Sequence, residues 1–197
     1  MGEKDELLTR KRLEEARYFC VRLSEAKTDD EFHFNLSAFL NAWRSILDVM
    51  LYDFTEYYSL GFSREDKLDD REFTAVATAL KNTQALKFIE WWRQKQGGLR
   101  NNPLWVKRNI TFHRGYPKVS EYRIFVSGSG GTSGTISIEP YLKPISYPSP
   151  STISPSDPSN YYFSDIQDRT VMKYCNEALK EIEKIIIEAE KTFSVKL

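Results

Sequence analysis

The sequence predicts a mainly α-helical protein, and three observations carry that prediction. Apolar residues recur at spacings of three and four along most of the 197 residues, most clearly at Phe32, Leu36, Phe39, Leu40, Trp43, Ile46, Leu47, Met50 and Phe54. Helix starts and stops are marked by Thr, Asp and Asn caps, a first-turn proline and a glycine pair. Strand-like alternation is confined to residues 119–139, where Tyr122, Ile124 and Val126, then Ile136 and Ile138, flank a Gly/Ser/Thr tip.

Taken in order, residues 4–27 place Leu7, Leu8, Ala16, Phe19, Cys20 and Leu23 among many charges, a first amphipathic helix. Thr28-Asp29-Asp30-Glu31 is a capping-box sequence with acids in the first turn, so a second helix starts there. The long apolar run makes it the central core helix. A separate stripe of the same helix carries His33, Ser37, Asn41, Arg44, Ser45 and Asp48, polar residues that either meet solvent or line a polar cleft.

Gly61, Ser63 and Asp66 mark a loop over 59–68, and Asp69 or Asp70 caps a third helix running to about Gln96, where Gly97-Gly98 ends it. Asn102-Pro103 supplies cap and first-turn proline for a short fourth helix through His113, stopped by Gly115 and Pro117. The alternating stretch then reads as a β-hairpin with a long tip, and residues 140–160 as a Pro/Ser-rich extended loop. A last helix from about Phe163 to Thr192 buries Val171, Cys175, Leu179, Ile182, Ile186 and Ala189. Residues 1–197 together form one domain in this reading.

Composition removes several functional classes. The charged start Met1-Gly2-Glu3-Lys4-Asp5-Glu6 and the lack of a long apolar span predict no secretory signal and no membrane partner, hence a cytoplasmic protein. Two cysteines, Cys20 and Cys175, lie far apart in amphipathic segments, which suits buried thiols rather than a disulfide framework. No Cys/His cluster exists, so no metal or other cofactor is expected. Ser127-Gly128-Ser129-Gly130-Gly131-Thr132 lacks the Lys-Ser/Thr ending and the strand-to-helix setting of a phosphate-binding loop.

The 28 basic and 28 acidic residues cancel, which argues against a general polyanion binder. Their placement is uneven. Between Arg100 and Arg123 stand six basic residues (Arg100, Lys107, Arg108, Arg114, Lys118, Arg123) and one acid, Glu121, while Thr28 to Glu72 holds eleven acids and four bases. Such a basic segment either steers a phosphate backbone or packs against the acidic one.

Inside it lies Arg108-Asn109-Ile110-Thr111-Phe112-His113. Asn109 and His113 are four residues apart and share a helix face, and the long side chain of Arg108 can reach over to them. Arginine, amide and imidazole converging on one point suit a phosphate; equally, Arg108 can pair with an acid of the second helix while His113 caps a helix end.

On these residues the chain resembles the HEPN superfamily, small helical proteins whose signature is Arg, four to six residues, then His, usually with Asn, Asp or His after the Arg. Phe34-Asn35-Leu36-Ser37-Ala38-Phe39-Leu40-Asn41-Ala42 is similar to the second helix of several members. The resemblance implies an antiparallel bundle of about five helices, here with a β-hairpin and Pro/Ser-rich loop inserted at about 116–162.

It further implies a metal-independent endoribonuclease acting on RNA as a homodimer, a toxin or defence effector. Arg108, Asn109 and His113 would be catalytic, with Lys107, Arg114 and Arg44 holding RNA. A nucleotidyltransferase-type antitoxin is an implied partner; it modifies a tyrosine two residues after the motif His in such toxins, a position held here by Gly115, with Tyr116 one residue later. Two other classes stay open: a non-catalytic RNA-binding, nucleotide-binding or dimerising module, and an interaction protein whose hairpin and Pro/Ser loop meet a partner.

Overall fold

The computed structural model describes residues 7–63, 65–114, 119–127, 135–141, 158–166 and 168–197. It is mostly helical, as the periodicity requires. The helices are α1 (Leu8–Ser24), α2 (Asp29–Tyr57), α3 (Asp70–Ala79), α4 (Thr83–Arg100), α5 (Pro103–Arg114) and α6 (Val171–Phe193). Strands β1 (Val119–Ser127), β2 (Thr135–Tyr141) and β3 (Tyr161–Phe163) lie between α5 and α6. Among the described residues no helix is long and apolar enough to cross a membrane.

The start of α2 follows its sequence signal with one change. Thr28 accepts the Glu31 amide at 3.2 Å, but the Glu31 carboxylate reaches back to the amide of Lys27, one residue before the cap, at 2.8 Å. The closed capping box belongs to α3, where Asp69 accepts the Glu72 amide at 2.9 Å and Glu72 accepts the Asp69 amide at 3.1 Å. α1 starts at Leu8, residues 4–6 of the expected helix lying outside the described residues, and its cap residue Leu7 offers no side-chain bond. Asp53 of α2 takes that role across the helix pair, accepting the amides of Leu8 at 3.2 Å and Thr9 at 2.8 Å.

Three boundaries differ from expectation. The third helix is two, because Lys81 turns left-handed (φ 53°) and Asn82 caps a fresh helix by accepting the Ala85 amide at 3.0 Å. Neither Gly nor Pro marks that break. Gly97 and Gly98 do not end α4, which continues to Arg100. The last helix begins at Val171, with Thr170 as its cap, and Phe163 belongs to β3 instead.

Every residue of the long apolar run of α2 is buried, as are the apolar residues expected in α6. Phe54 stacks on Phe88 of α4 with centroids 3.7 Å apart, and Phe193 meets both rings edge-on at 5.7 and 5.5 Å. The two buried tryptophans satisfy their indole donors on helix carbonyls: Trp43 on Ala178 at 3.2 Å and Trp92 on Leu47 at 2.8 Å. Cys20 and Cys175 are both free and buried.

The strand order is β2-β1-β3, all antiparallel. β1 pairs with β2 from Glu121↔Tyr141 to Ser127↔Thr135, and with β3 from Val119↔Phe163 to Glu121↔Tyr161. β3 fastens this sheet to the helices. The Tyr161 ring stacks on Phe32 at 4.1 Å, its hydroxyl donates to Asp29, and Phe163 is fully buried beside Tyr174.

Candidate functional site

The site is built where α5 lies on α2. α5 starts as its Asn-Pro signal predicts: Asn102 accepts the Leu104 amide at 3.0 Å, and Leu104 is fully buried. The next residue, Trp105, meets Trp43 edge-on at 6.4 Å and lies under Arg44, whose guanidinium carbon is 3.8 Å from the ring centroid. Arg44 also donates to Asp48, one turn along α2, at 2.7 Å. The acidic and basic segments of the sequence therefore do meet at this helix pair.

One turn beyond Trp105, Arg108 lines a cleft of about 380 Å³ between α1, α2 and α5. Asn41 and Ser45 of the polar stripe line it from α2 together with Ala38 and Ala42, and Arg12, Glu15 and Phe19 line it from α1. The rest of the stripe turns elsewhere. Arg44 and Asp48 line a second cleft of about 220 Å³ with Asp69, Asp70, Trp92 and Arg100.

Arg108 is half-buried, and burial is the main reason its pKa is lowered; the charge of Arg44 adds to the effect and Asp48 opposes it. A guanidinium keeps its charge through such a shift, because its ordinary pKa lies so far above neutrality.

Lys107 has a different surrounding from the one its sequence context suggested. It is 3% exposed, its ammonium donates to Asp165, and it lies 5.0 Å from the centroid of Phe163. That bond holds the Asp165 carboxyl below its ordinary pKa. Lys107 thus ties α5 to the segment after β3, 58 residues away in sequence, and is withdrawn from the surface. Arg44 likewise carries its own counter-ion in Asp48, with its side chain 16% exposed.

Asn109, His113 and Arg114 lie on α5, the first two a helical turn apart along its backbone; their side chains, and all of Tyr116, are outside the described residues. The α1 contribution to the cleft escaped sequence reading. Arg12, Glu15 and Phe19 share a face at helical spacing, but nothing local ties them to a motif almost ninety residues later. Among the described residues no group of three or more His, Cys, Asp or Glu is placed to hold a metal ion. No protein-family model, curated protein or solved structure matches the chain.

Proposed function

We propose that this protein is an endoribonuclease of the HEPN type, acting without a required metal and as a homodimer. One observation supports the reading above the others: Arg108 shares a cleft with Asn41 and Ser45, polar residues on an otherwise core-forming helix. A guanidinium at the edge of a polar cleft suits a phosphodiester.

The chemistry assigned to the motif is intramolecular transesterification. His113 takes the proton of a ribose 2′-hydroxyl, the 2′-oxygen forms a bond to phosphorus, the bond to the 5′-oxygen breaks, and the imidazolium returns that proton to the leaving 5′-oxygen. Arg108 stabilises the negative charge that builds on the non-bridging oxygens. The products are a 2′,3′-cyclic phosphate and a 5′-hydroxyl end. Asn109, on the face of α5 that carries His113, orients the imidazole or binds the phosphate.

A second reading has its own support. Two of the cations expected to hold RNA, Lys107 and Arg44, are occupied by Asp165 and Asp48. That favours a non-catalytic binding module built on the same helices, with a smaller phosphate footprint than a nuclease needs.

Incubating the protein and its His113→Ala form with total RNA in EDTA, followed by end-group mapping, separates the two. Cleavage by the parent alone, leaving cyclic phosphate ends, is the expected result. Intact RNA in both lanes, with salt-dependent binding retained, refutes the nuclease and leaves the module.

A further inference from the structure

We infer that the cleft beside Arg108 is a nucleobase subsite selective for bases bearing an exocyclic amine, with Asn41 and Ser45 as the specificity-determining residues. The inference rests on the ribonuclease reading for Arg108 as the group that meets the phosphate. It goes beyond that reading in assigning which base lies next to it.

The selectivity follows from where each polar hydrogen is already spent. The Asn41 amide nitrogen donates to the carbonyl of Ser37, one turn back on α2, at 3.0 Å. Only the nitrogen can make that bond, since a carbonyl oxygen cannot donate to another. The Asn41 Oδ1 is therefore left as an acceptor, with one N–H beside it. Ser45 spends its single hydroxyl hydrogen on the Ala42 carbonyl at 2.9 Å, so only oxygen lone pairs face outward. The α2 wall of the cleft thus presents two acceptors and one donor.

Of the remaining lining, Arg12 and Glu15 of α1 are paired with each other at 2.5 Å, and the other residues suit a planar ring. Ala38 and Ala42 add small side chains to the α2 wall, and Phe19 lines the cleft from α1. The Phe19 ring is held by an edge-on contact with Tyr18, centroids 5.3 Å apart. An aromatic face beside small residues is a stacking platform for any base. The cleft volume of about 380 Å³ falls within the roughly 300–1,000 Å³ of small-ligand sites.

Cytosine and uracil differ at the edge this wall would read. Cytosine offers the 4-amino group to Asn41 Oδ1 and Ser45 Oγ and its N3 lone pair to the remaining Asn41 N–H. Uracil turns a carbonyl oxygen toward those two acceptors and an N–H toward the donor. The two bases are nearly the same size, so the discrimination comes from hydrogen-bond polarity rather than fit.

The test is equilibrium binding of CMP and UMP to the full-length protein by calorimetry, with thermal melts to check folding. The expected preference for CMP is about tenfold, the scale of one good base-edge pair. Ser45→Ala and Asn41→Leu should each shrink that ratio toward one. Arg108→Ala should weaken both nucleotides alike and leave the ratio intact. Should Asn41→Leu fail to fold, Ser45→Ala, which removes one oxygen from a half-exposed helix position, decides the matter. Equal affinity for the two nucleotides, a ratio indifferent to Asn41 and Ser45, or no saturable binding of either up to millimolar concentration overturns the inference. Intact RNA in the cleavage assay with the CMP preference retained overturns the nuclease and leaves the subsite; cleavage without the preference does the reverse.

Discussion

Asp53 Oδ2 lies 2.8 Å from the amide nitrogen of Thr9 and 2.6 Å from its Oγ1, so a residue near the end of α2 caps the beginning of α1. Both residues are buried, at 1% and 0% exposure. A helix cap is ordinarily local, and here it is a tertiary contact spanning 44 residues.

Removing that carboxylate strands the buried amide and hydroxyl of Thr9 and the part-buried amide of Leu8. Asp53→Ala is expected to lower stability by about 2–3 kcal/mol, and Asp53→Asn by less, because an amide oxygen still accepts one bond. Urea denaturation measures both, and a parental midpoint for Asp53→Ala would contradict the capping role.

Trp105 and Arg44 should be energetically coupled. A double-mutant cycle with Trp105→Leu and Arg44→Met is expected to give about 0.5–1.5 kcal/mol of interaction free energy, the range for a guanidinium on an aromatic face. Additive single effects would show that the 3.8 Å contact contributes only through burial.

Lys107 and Arg108 are sequence neighbours with opposite expected phenotypes. Arg108→Ala should reduce the slope of RNA affinity against salt by about one released counterion while leaving the melting temperature near the parent's. Lys107→Ala should lower the melting temperature, since it empties a buried position and leaves Asp165 without its bond, while the salt slope stays unchanged. Exchanged outcomes would reverse the two assignments.

His33 gives the fold an acid-side weakness. Burial lowers its pKa from 6.5 and outweighs the raising effect of Asp29 and Asp30. The unfolded chain therefore takes up a proton more readily, and stability is fully present above the unfolded pKa. It falls as pH drops from about 6.5 through the lower folded value. His33→Gln should flatten the stability profile over that window when unfolding is followed at successive pH values; an unchanged slope would assign the acid sensitivity to other groups.

The helices were legible in the sequence where burial and periodicity coincide. Phe32 through Phe54 repeats apolar residues over more than twenty positions, and each of the nine is buried. The stripe of Asn41 and Ser45 was legible for the same reason, because polar residues in register on a core helix need an explanation. The break at Lys81 was not: Leu80-Lys81-Asn82 contains no glycine or proline, and Asn82 became a cap only because Lys81 accepted a left-handed conformation. Gly97 and Gly98 misled in the opposite sense, since glycine permits a helix end without enforcing one.

Charge partners were the least legible part of the candidate site. Lys107 carries the same local context as Arg108, and what separates them is Asp165, delivered by a strand that no nearby residue predicts. Arg12, Glu15 and Phe19 reach the cleft through the antiparallel packing of α1 on α2. Periodicity marks which face a residue occupies; it does not say which distant helix meets it.

The pairing of Val119 with Phe163 has an architectural consequence. β1 follows α5 in the chain and β3 is packed on the helices, and their residues Val119 and Phe163 are register partners in the sheet. The chain joining β1 to β3 can therefore change in length without altering the distance that the helical body has to bridge, provided that Tyr161 keeps its place on Phe32.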